Sequence, residues 1–368
     1  MARHYIWSLP GECPCRTWLG TTAAPKPDQL HWTICPDILQ DWNRYDLSTF
    51  LIQESGMLTE VKAVTLGVSD LQRACAFYEN ALGYRVQARG ALHAGLAPLW
   101  RFDATLRGEY AVIAPDDSGL GRIRLVAFDA PGQRLWNADN LYNGSGYYAL
   151  NFRCADALAT MQAITAAGGS SAHEPSYWEV SEQVAVRDSI NDDPDGIRLD
   201  VFSYERGGEL RGPLDTDVSV VQTIALATRD VARSVDFYKA LGFEVLFDRV
   251  LDFPELQTLL GTDRPVRIHN VNLIKDGHIV PGRVEMFAYL DMQHLPDAPL
   301  RDVAVPPNIG ILSATLLSDA LDADVERLQQ LGAQLIARDV LDVPGFGHCA
   351  IVTLLGPDGE QLELLQPA

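Results

Sequence analysis

Four predicted β-strands each carry a charged side chain within an otherwise largely apolar segment, and these side chains are the first candidates for chemistry. They are Arg124, Asp200, Glu285 and Glu363. Side chains two residues apart on a strand share a face, so Phe287 and Tyr289 accompany Glu285. A carboxyl group in apolar surroundings can act as a general acid or base, and a guanidinium fork suits an anionic or carbonyl substrate. Each residue is equally compatible with a structural ion pair.

Two histidines lie in predicted strands and are candidate bases or metal ligands. His269 lies in the segment RIHNVNLI and His348 in FGHCAIV. His348 is the more interesting because we expect its strand to lie beside the strand of Glu363. A single histidine on a strand is also compatible with a structural role, so both interpretations stay open.

Aromatic side chains supply candidate surfaces for a planar ligand. Trp100, Tyr177 and Trp178 lie in or near segments that connect predicted strands. The apolar segments 91–102 and 251–261 are predicted to cover the pockets as flaps. Aromatic rings stack on planar ligands, but they also pack in cores and at rims, and the sequence is compatible with both.

The elements that carry these residues belong to a long internal repeat. The segment VKAVTLGVSDLQRACAFYENALGY at 61–84 returns as VQTIALATRDVARSVDFYKALGF at 221–243, an offset of 160 residues. The segment DDPDGIRLDVF at 192–202 returns as LGPDGEQLELL at 355–365. A unit of this length is too long for a solenoid and indicates duplicated domains.

Each half contains the order strand, helix, strand, strand, strand twice. In the first occurrence an apolar strand at 61–68 precedes a helix at 71–82, which Asp70 can cap and Gly83 ends. The same order follows after a turn-rich link. We therefore predict four similar modules in two domains, and an α+β fold.

The predicted boundaries divide the chain into three parts. The domains are expected at 57–204 and 218–368, joined by a polar, turn-rich segment at 205–217. Residues 1–56 show no period and are predicted to form an irregular N-terminal arm. This arm is either a cap over a domain face or a stretch that precedes a true start at Met57.

Composition and charge limit the partners. The 368 residues carry a net charge of −20, so no basic face is expected for nucleic acid or an anionic membrane. We expect a small-molecule ligand, a monomer or homodimer, and a reducing cytoplasm, since the N-terminal residues do not resemble a signal peptide. A zinc site of Cys13, Cys15 and Cys35 with His4 or His31 is a minor alternative.

The segments VSDLQRACAFYENALGY, TRDVARSVDFYKALGF, DPDGIRLDV and GPDGEQLEL resemble those of the vicinal oxygen chelate superfamily. This superfamily includes glyoxalase I, bleomycin-resistance proteins and extradiol dioxygenases. The resemblance implies two tandem glyoxalase-like domains, each of two paired βαβββ modules that close a cup-shaped sheet around one pocket. It covers residues 57–368 and is specific for the fold rather than for a reaction.

The resemblance also implies where a metal would be held. The first-strand ligand position lies seven residues before the aspartate that opens each helix, and the fourth-strand position usually carries glutamate. The first-strand position is occupied by Ala63, Ala149, Thr223 and Leu312. The fourth-strand position is occupied by Arg124, Asp200, Glu285 and Glu363. We therefore expect no tightly bound metal or other cofactor, although carboxylates alone can hold a weakly bound divalent ion.

With consecutive modules paired, the resemblance places Arg124 with Asp200 in one pocket and Glu285 with Glu363 in the other. Two carboxylates in one partly apolar pocket should share a proton. The leading hypothesis is a proton-transfer enzyme of the lyase, hydratase or isomerase type, acting through Glu285, Glu363 and a histidine. A protein that sequesters an aromatic or hydrophobic compound is the alternative, and a ring-cleaving extradiol-type dioxygenase is the third.

Overall fold

The computed structural model describes residues 58–208, 214–262, 264–277, 279 and 281–368. The predicted arm at 1–56, its possible zinc ligands and Met57 lie outside these residues. Within the described part of the chain, none of the helices has the length and apolar character that a membrane crossing requires.

Four modules follow one another along the chain. The first (63–128) contains β1 (Ala63–Gly67), α1 (Leu71–Leu82), β2 (Arg85–Ala91), α2 (Leu96–Trp100), β3 (Gly108–Ala114) and β4 (Arg122–Phe128). The second (144–206) contains β5 (Gly144–Arg153), α3 (Ala157–Ala166), β6 (Ser170–Ser171), β7 (Ser176–Ser181), β8 (Val184–Asp192) and β9 (Arg198–Arg206).

The second half repeats this order. The third module (223–289) contains β10 (Thr223–Ala227), α4 (Val231–Ala240), β11 (Phe243–Leu251), α5 (Leu256–Leu259), β12 (Ile268–Lys275) and β13 (Arg283–Tyr289). The short strand β14 (Ala298–Pro299) pairs with β5. The fourth module (310–367) contains β15 (Gly310–Leu317), α6 (Leu321–Gln330), β16 (Gln334–Val343), β17 (Gly347–Leu355) and β18 (Gln361–Pro367). The prediction of two tandem halves in an α+β fold is confirmed.

The long helix of the first module shows how the sequence sets these elements. Asp70 accepts a hydrogen bond from the Arg73 amide at 2.8 Å and caps the helix. Gly83 ends it with a φ of 71°, a left-handed conformation that side chains with a Cβ adopt at a cost. Between these ends Phe77 and Tyr78 are buried in the apolar core. The helix therefore spans the residues that the sequence predicts.

The modules pair across the two halves rather than within them. One sheet has eight strands in the order β16-β17-β18-β15-β1-β4-β3-β2, so the first module pairs with the fourth. The other has ten strands in a path β11-β12-β13-β10-β5-β9-β8-β6, so the second module pairs with the third. The expected pairing of consecutive modules is therefore wrong. Each first strand joins antiparallel to the first strand of a module from the other half, β1 to β15 and β5 to β10.

Consecutive modules are instead connected by the aspartate of the Pro-Asp-Gly motif. Asp195 of the second module accepts hydrogen bonds from the amide and hydroxyl of Ser69 at 2.9 and 2.6 Å, at the start of α1. Asp358 of the fourth module accepts from Thr228 and Ser234, at 2.8 and 2.5 Å, at the start of α4. Hydrogen bonds of the Pro-Asp-Gly motif therefore connect the two modules of each half, while strand pairing connects one half to the other.

Asp193, which stands two residues before Asp195, is a buried carboxyl whose titration should affect stability. It is 4% exposed, and its Oδ1 accepts from the Asp195 and Ile197 amides at 2.8 and 2.9 Å. Burial is the main reason that the pKa of Asp193 is raised to about 7. A carboxyl whose folded-state pKa is raised keeps a proton that the unfolded chain has lost.

We predict that the free energy of unfolding falls as the pH rises from about 4 to about 7. Below this window Asp193 is protonated in both states, and above it the destabilisation is complete. The contribution of Asp193 is at most about 4 kcal/mol. Urea unfolding across this range should show a smaller fall for Asp193→Asn than for the wild type, and an unchanged fall for the exposed Asp139→Asn. A stability that stays constant or rises between about pH 5 and 7.5 would contradict this assignment.

Candidate functional site

A cavity of about 320 Å³ lies against the ten-stranded sheet. Its described lining residues come from the second and third modules. Four of them occupy the positions at which the superfamily usually carries metal ligands, namely Ala149, Asp200, Thr223 and Glu285. The predicted positions therefore do meet in a pocket, but they meet as partners from different halves of the chain.

Three carboxyl side chains form what we call the acidic floor of the cavity: Asp188, Asp200 and Glu285. They come from β8, β9 and β13. Asp188 is 7% exposed, whereas Asp200 and Glu285 are less completely buried. Asp188 is the residue that the sequence analysis missed. The alternation of its strand, in which Val184, Val186 and Ile190 share its face and also line the cavity, was the available signal.

Side-chain amides hold the acidic floor in place. Asn151 donates to Glu285 Oε2 at 2.7 Å, and Asn270 donates to Glu285 Oε1. The indole nitrogen of Trp178 donates to Asp188 Oδ2 at 3.2 Å. These bonds fix the orientation of Glu285 and Asp188, and the two amide donors favour the charged form of Glu285.

Burial and mutual repulsion act against ionising all three carboxyl groups. Burial raises the pKa of Asp200 well above its usual range, and the charges of Asp188 and Glu285 raise it further. Burial also raises the pKa values of Asp188 and Glu285, but hydrogen bonds to each oppose that rise. Among the three, Asp200 is therefore the group most favourably protonated, and Glu285 is the one whose charge is better supported by donors.

The walls above the acidic floor are apolar and aromatic. Trp178 and Phe253 are stacked with ring centroids 5.3 Å apart and an interplanar angle of 12°. Phe287 and Tyr289 line the cavity next to Glu285 on β13, as the alternation predicts. The segment predicted as a flap at 251–261 does line this cavity, through Leu251, Phe253 and residues of α5.

In the eight-stranded sheet the corresponding positions are filled by an ion pair. The Nη2 atom of Arg124 lies 2.5 Å from Glu363 Oε2, and both side chains are at most 1% exposed. Hydroxyl groups complete the cluster, since Thr65 accepts from Arg124 at 2.7 Å and Thr315 donates to Glu363 at 2.9 Å. The guanidinium carbon of Arg124 lies 4.8 Å from the centre of the Trp100 ring.

The predicted site residues therefore divide into three groups. Those that meet in the cavity are Asp200, Thr223, Glu285, Phe287 and Tyr289. Those that are buried in or against the eight-stranded sheet are Arg124 and Glu363 on its strands and Trp100 on α2. Those that lie at neither place are His269, His348 and Tyr177.

The expected pairs of Glu285 with Glu363 and of Arg124 with Asp200 are wrong, because the strands that carry them belong to different sheets. The two histidines lie on β12 and β17, where they contact Asp248 and Asp342 of the neighbouring edge strands. Tyr177 is 41% exposed, because alternation on β7 turns its neighbours Trp178 and Val180 to the cavity. The stacking surface predicted from these aromatic residues is therefore Trp178 alone.

The donor set of the cavity does not fit the metal centre that the superfamily commonly uses. Its lining residues offer carboxylates and amides without an imidazole or thiolate, the softer ligands that zinc and similar metals prefer. In the described part of the chain no three His, Cys, Asp or Glu side chains are grouped so that they can hold an ion. We therefore derive no chemistry through a metal, and the absence of a tight metal remains a prediction.

Comparison with known proteins agrees with this fold. The model of the Glyoxalase/Bleomycin resistance protein/Dioxygenase superfamily matches residues 60–201 and 220–364. The chain therefore belongs to this superfamily. No curated protein matches the chain.

Solved structures with the same fold include a mutant of glyoxalase I from Zea mays, at 16% identity and a TM-score of 0.57. That alignment covers 85% of this chain and 94% of the maize chain. A putative dioxygenase from Bacillus subtilis is similar at 11% identity and a TM-score of 0.52, with coverage of 84% and 86%. At these identities the likeness establishes the fold and leaves the reaction open.

We predict that Arg124→Met destabilises the protein by about 3–5 kcal/mol, because it leaves Glu363 buried and charged without its partner. Arg124→Met/Glu363→Gln should recover a large part of this loss, since glutamine removes the charge and keeps polar contacts for Thr315 and Ser313. Urea unfolding measures both changes.

The exposed pair Arg187–Glu205 provides the control. Arg187→Met should cost less than about 1 kcal/mol, as is usual for exposed ion pairs. If Arg124→Met is as mild as Arg187→Met, or if the double variant is less stable than Arg124→Met, the ion pair does not have the role assigned to it.

Proposed function

We propose that this chain is a small-molecule enzyme that transfers protons at the acidic floor of the ten-stranded sheet, in a reaction of the lyase, hydratase or isomerase type. The observation that carries this proposal is the meeting of Asp188, Asp200 and Glu285 in one largely apolar cavity. Carboxyl groups that differ in protonation state within one site are the usual means by which a protein supplies an acid and a base together.

Hydrogen bonds and burial support a different role for each carboxyl group. Glu285 is the general base, since two amide donors support its charge while its raised pKa improves it as a proton acceptor. Asp200 is the general acid, since burial and the charges of its neighbours raise its pKa well above its usual range and favour its protonated form. Asp188 stays beside Asp200 as a positioning residue, and Trp178 orients it.

The remaining lining residues would bind the substrate rather than react with it. Phe287 and Tyr289 present apolar surface beside Glu285, and Trp178 stacks on Phe253. Thr223 is 1% exposed and lines the same cavity from β10. A cavity of about 320 Å³ suits a substrate with one or two rings.

A protein that binds an apolar or aromatic compound without turning it over is the second candidate. The aromatic walls favour it, because stacking surface is sufficient for sequestration. The acidic floor favours the enzyme, because burying three carboxyl groups destabilises the fold and gives a sequestering protein no advantage with a neutral compound.

On any substrate that the protein turns over, we predict that Glu285→Gln lowers kcat by about 10²-fold or more, the usual contribution of a positioned acid or base. Glutamine is close to glutamate in shape, so the cavity should remain and KM should change less than kcat. Steady-state kinetics with a melting curve of each variant measures this.

Glu244→Gln is the matched control, since Glu244 is an exposed glutamate on β11 of the same sheet. It should leave kcat and KM unchanged. A wild-type kcat in Glu285→Gln would refute the proposed base, and tight ligand binding without turnover by the wild type would favour sequestration.

A further inference from the structure

Amide oxygens beside the acidic floor lack hydrogen-bond donors. Among the described residues no hydrogen-bond partner exists for the Oδ1 atoms of Asn151 and Asn272, whereas Asp188 and Asp200 share a hydrogen bond. Both amide side chains are at most 7% exposed, and both line the cavity. Buried polar atoms without a partner are costly, so a group that donates hydrogen bonds should be favoured here.

The charged side chains that line the cavity also favour a ligand group that donates hydrogen bonds over an anionic group. The described lining residues include three carboxyl groups but two cations, Arg249 and Arg283. Arg249 is exposed and donates to the Val180 carbonyl. Arg283 is 8% exposed and lies two residues from Glu285 on the same strand. The lining therefore contains more acidic than basic side chains, so an anionic ligand group is disfavoured beside the floor.

We propose that the ligand of this cavity is a small arylalkylamine, an aromatic ring that carries an aliphatic amine, whose protonated nitrogen binds the carboxylate and amide oxygens of the acidic floor and whose ring lies along the aromatic wall. This inference rests on the proposed function for the location of the site and adds the chemical class of the substrate. An ammonium group supplies three donors and no acceptor, which matches a floor of acceptors.

The shape of the cavity determines where the two ends of such a molecule lie. The carboxyl groups are on β8, β9 and β13, whereas Trp178, Phe253 and the leucines of α5 form the apolar wall. Aromatic faces attract a cation and stack on a ring, so a charged nitrogen and its ring are both accommodated. The ionised Glu285 supplies the counter-charge.

Three compounds with one indole body and different head groups test this inference: tryptamine, tryptophol and indole-3-propionate. Calorimetric titration of the full-length wild-type protein at about pH 7 should show that tryptamine binds at least about tenfold more tightly than tryptophol, because charge-assisted hydrogen bonds exceed neutral ones. Indole-3-propionate should bind more weakly than tryptophol, since its carboxylate meets the acidic floor.

Variants of the acidic floor test whether the preference for tryptamine arises there. Glu285→Gln should lower the affinity for tryptamine by about tenfold, because one charged acceptor is lost, and should change the affinity for tryptophol by less than about threefold. Glu244→Gln should change neither affinity. Asp200→Asn provides a second test of the floor, and should also reduce the preference for tryptamine, should Glu285→Gln not fold.

Equal binding of the three compounds would overturn the inference, as would tighter binding of indole-3-propionate or no detectable binding of tryptamine. A preference for tryptamine that persists in both floor variants would also overturn it. The proposed function is tested separately. If the protein prefers tryptamine but turns over no amine, the inferred ligand class is supported and the proposed enzymatic activity is refuted.

Discussion

A charge that folding buries has to be paired, neutralised by a proton or held by a ligand, and the two sheets of this protein meet that constraint differently. In the eight-stranded sheet Glu363 is paired with Arg124 at 2.5 Å, and hydroxyl groups satisfy the remaining atoms. In the ten-stranded sheet Glu285 meets Asp188 and Asp200, and it accepts hydrogen bonds from the side-chain amides of Asn151 and Asn270. The first cluster pairs opposite charges in a closed core, and the second gathers carboxyl groups whose pKa values burial raises.

This difference depends on which modules pair. Had consecutive modules shared a sheet, Arg124 would have faced Asp200 and Glu285 would have faced Glu363. Because β1 pairs with β15 and β5 pairs with β10, Arg124 instead meets Glu363, and Asp200 instead meets Glu285. The same exchange brings the apolar residues of α5 and the Trp178 ring of β7 to one cavity, since they belong to the third and second modules. The site is therefore built from both halves of the chain.

The sequence predicted the modules well because each one is specified locally. The apolar run at 61–68, the cap at Asp70 and the stop at Gly83 predict β1 and α1 within one or two residues. Strand alternation correctly placed Phe287 and Tyr289 on the face of Glu285. Module pairing was not predictable in this way, since it depends on contacts between strands far apart in sequence, and four modules with similar first strands offer several compatible edges.

The sequence therefore predicted which strand positions contribute to the candidate site, but not which of these residues meet. Asp200, Thr223 and Glu285 do meet in one cavity, while Glu363 and Arg124 were assigned to the wrong neighbours. Asp188 lies on a third strand, at a position to which the superfamily pattern assigns no ligand, and Asn270 was passed over beside His269. Strand alternation could have placed Asp188 on an inward face, but its meeting with Asn270 depends on β8 and β12 bordering the same cavity.

The central claim is that protons are retained at the acidic floor, and a titration of the carboxyl carbons by ¹³C NMR tests it most directly. Asp200→Asn and Glu285→Gln would assign the two signals by their loss. We expect the Asp200 carbon to keep the chemical shift of a protonated carboxyl well above about pH 4, and Glu285 to titrate above its usual range, because burial raises the pKa of both groups. Titration of both signals together with the exposed carboxyl groups, near about pH 4, would contradict the account.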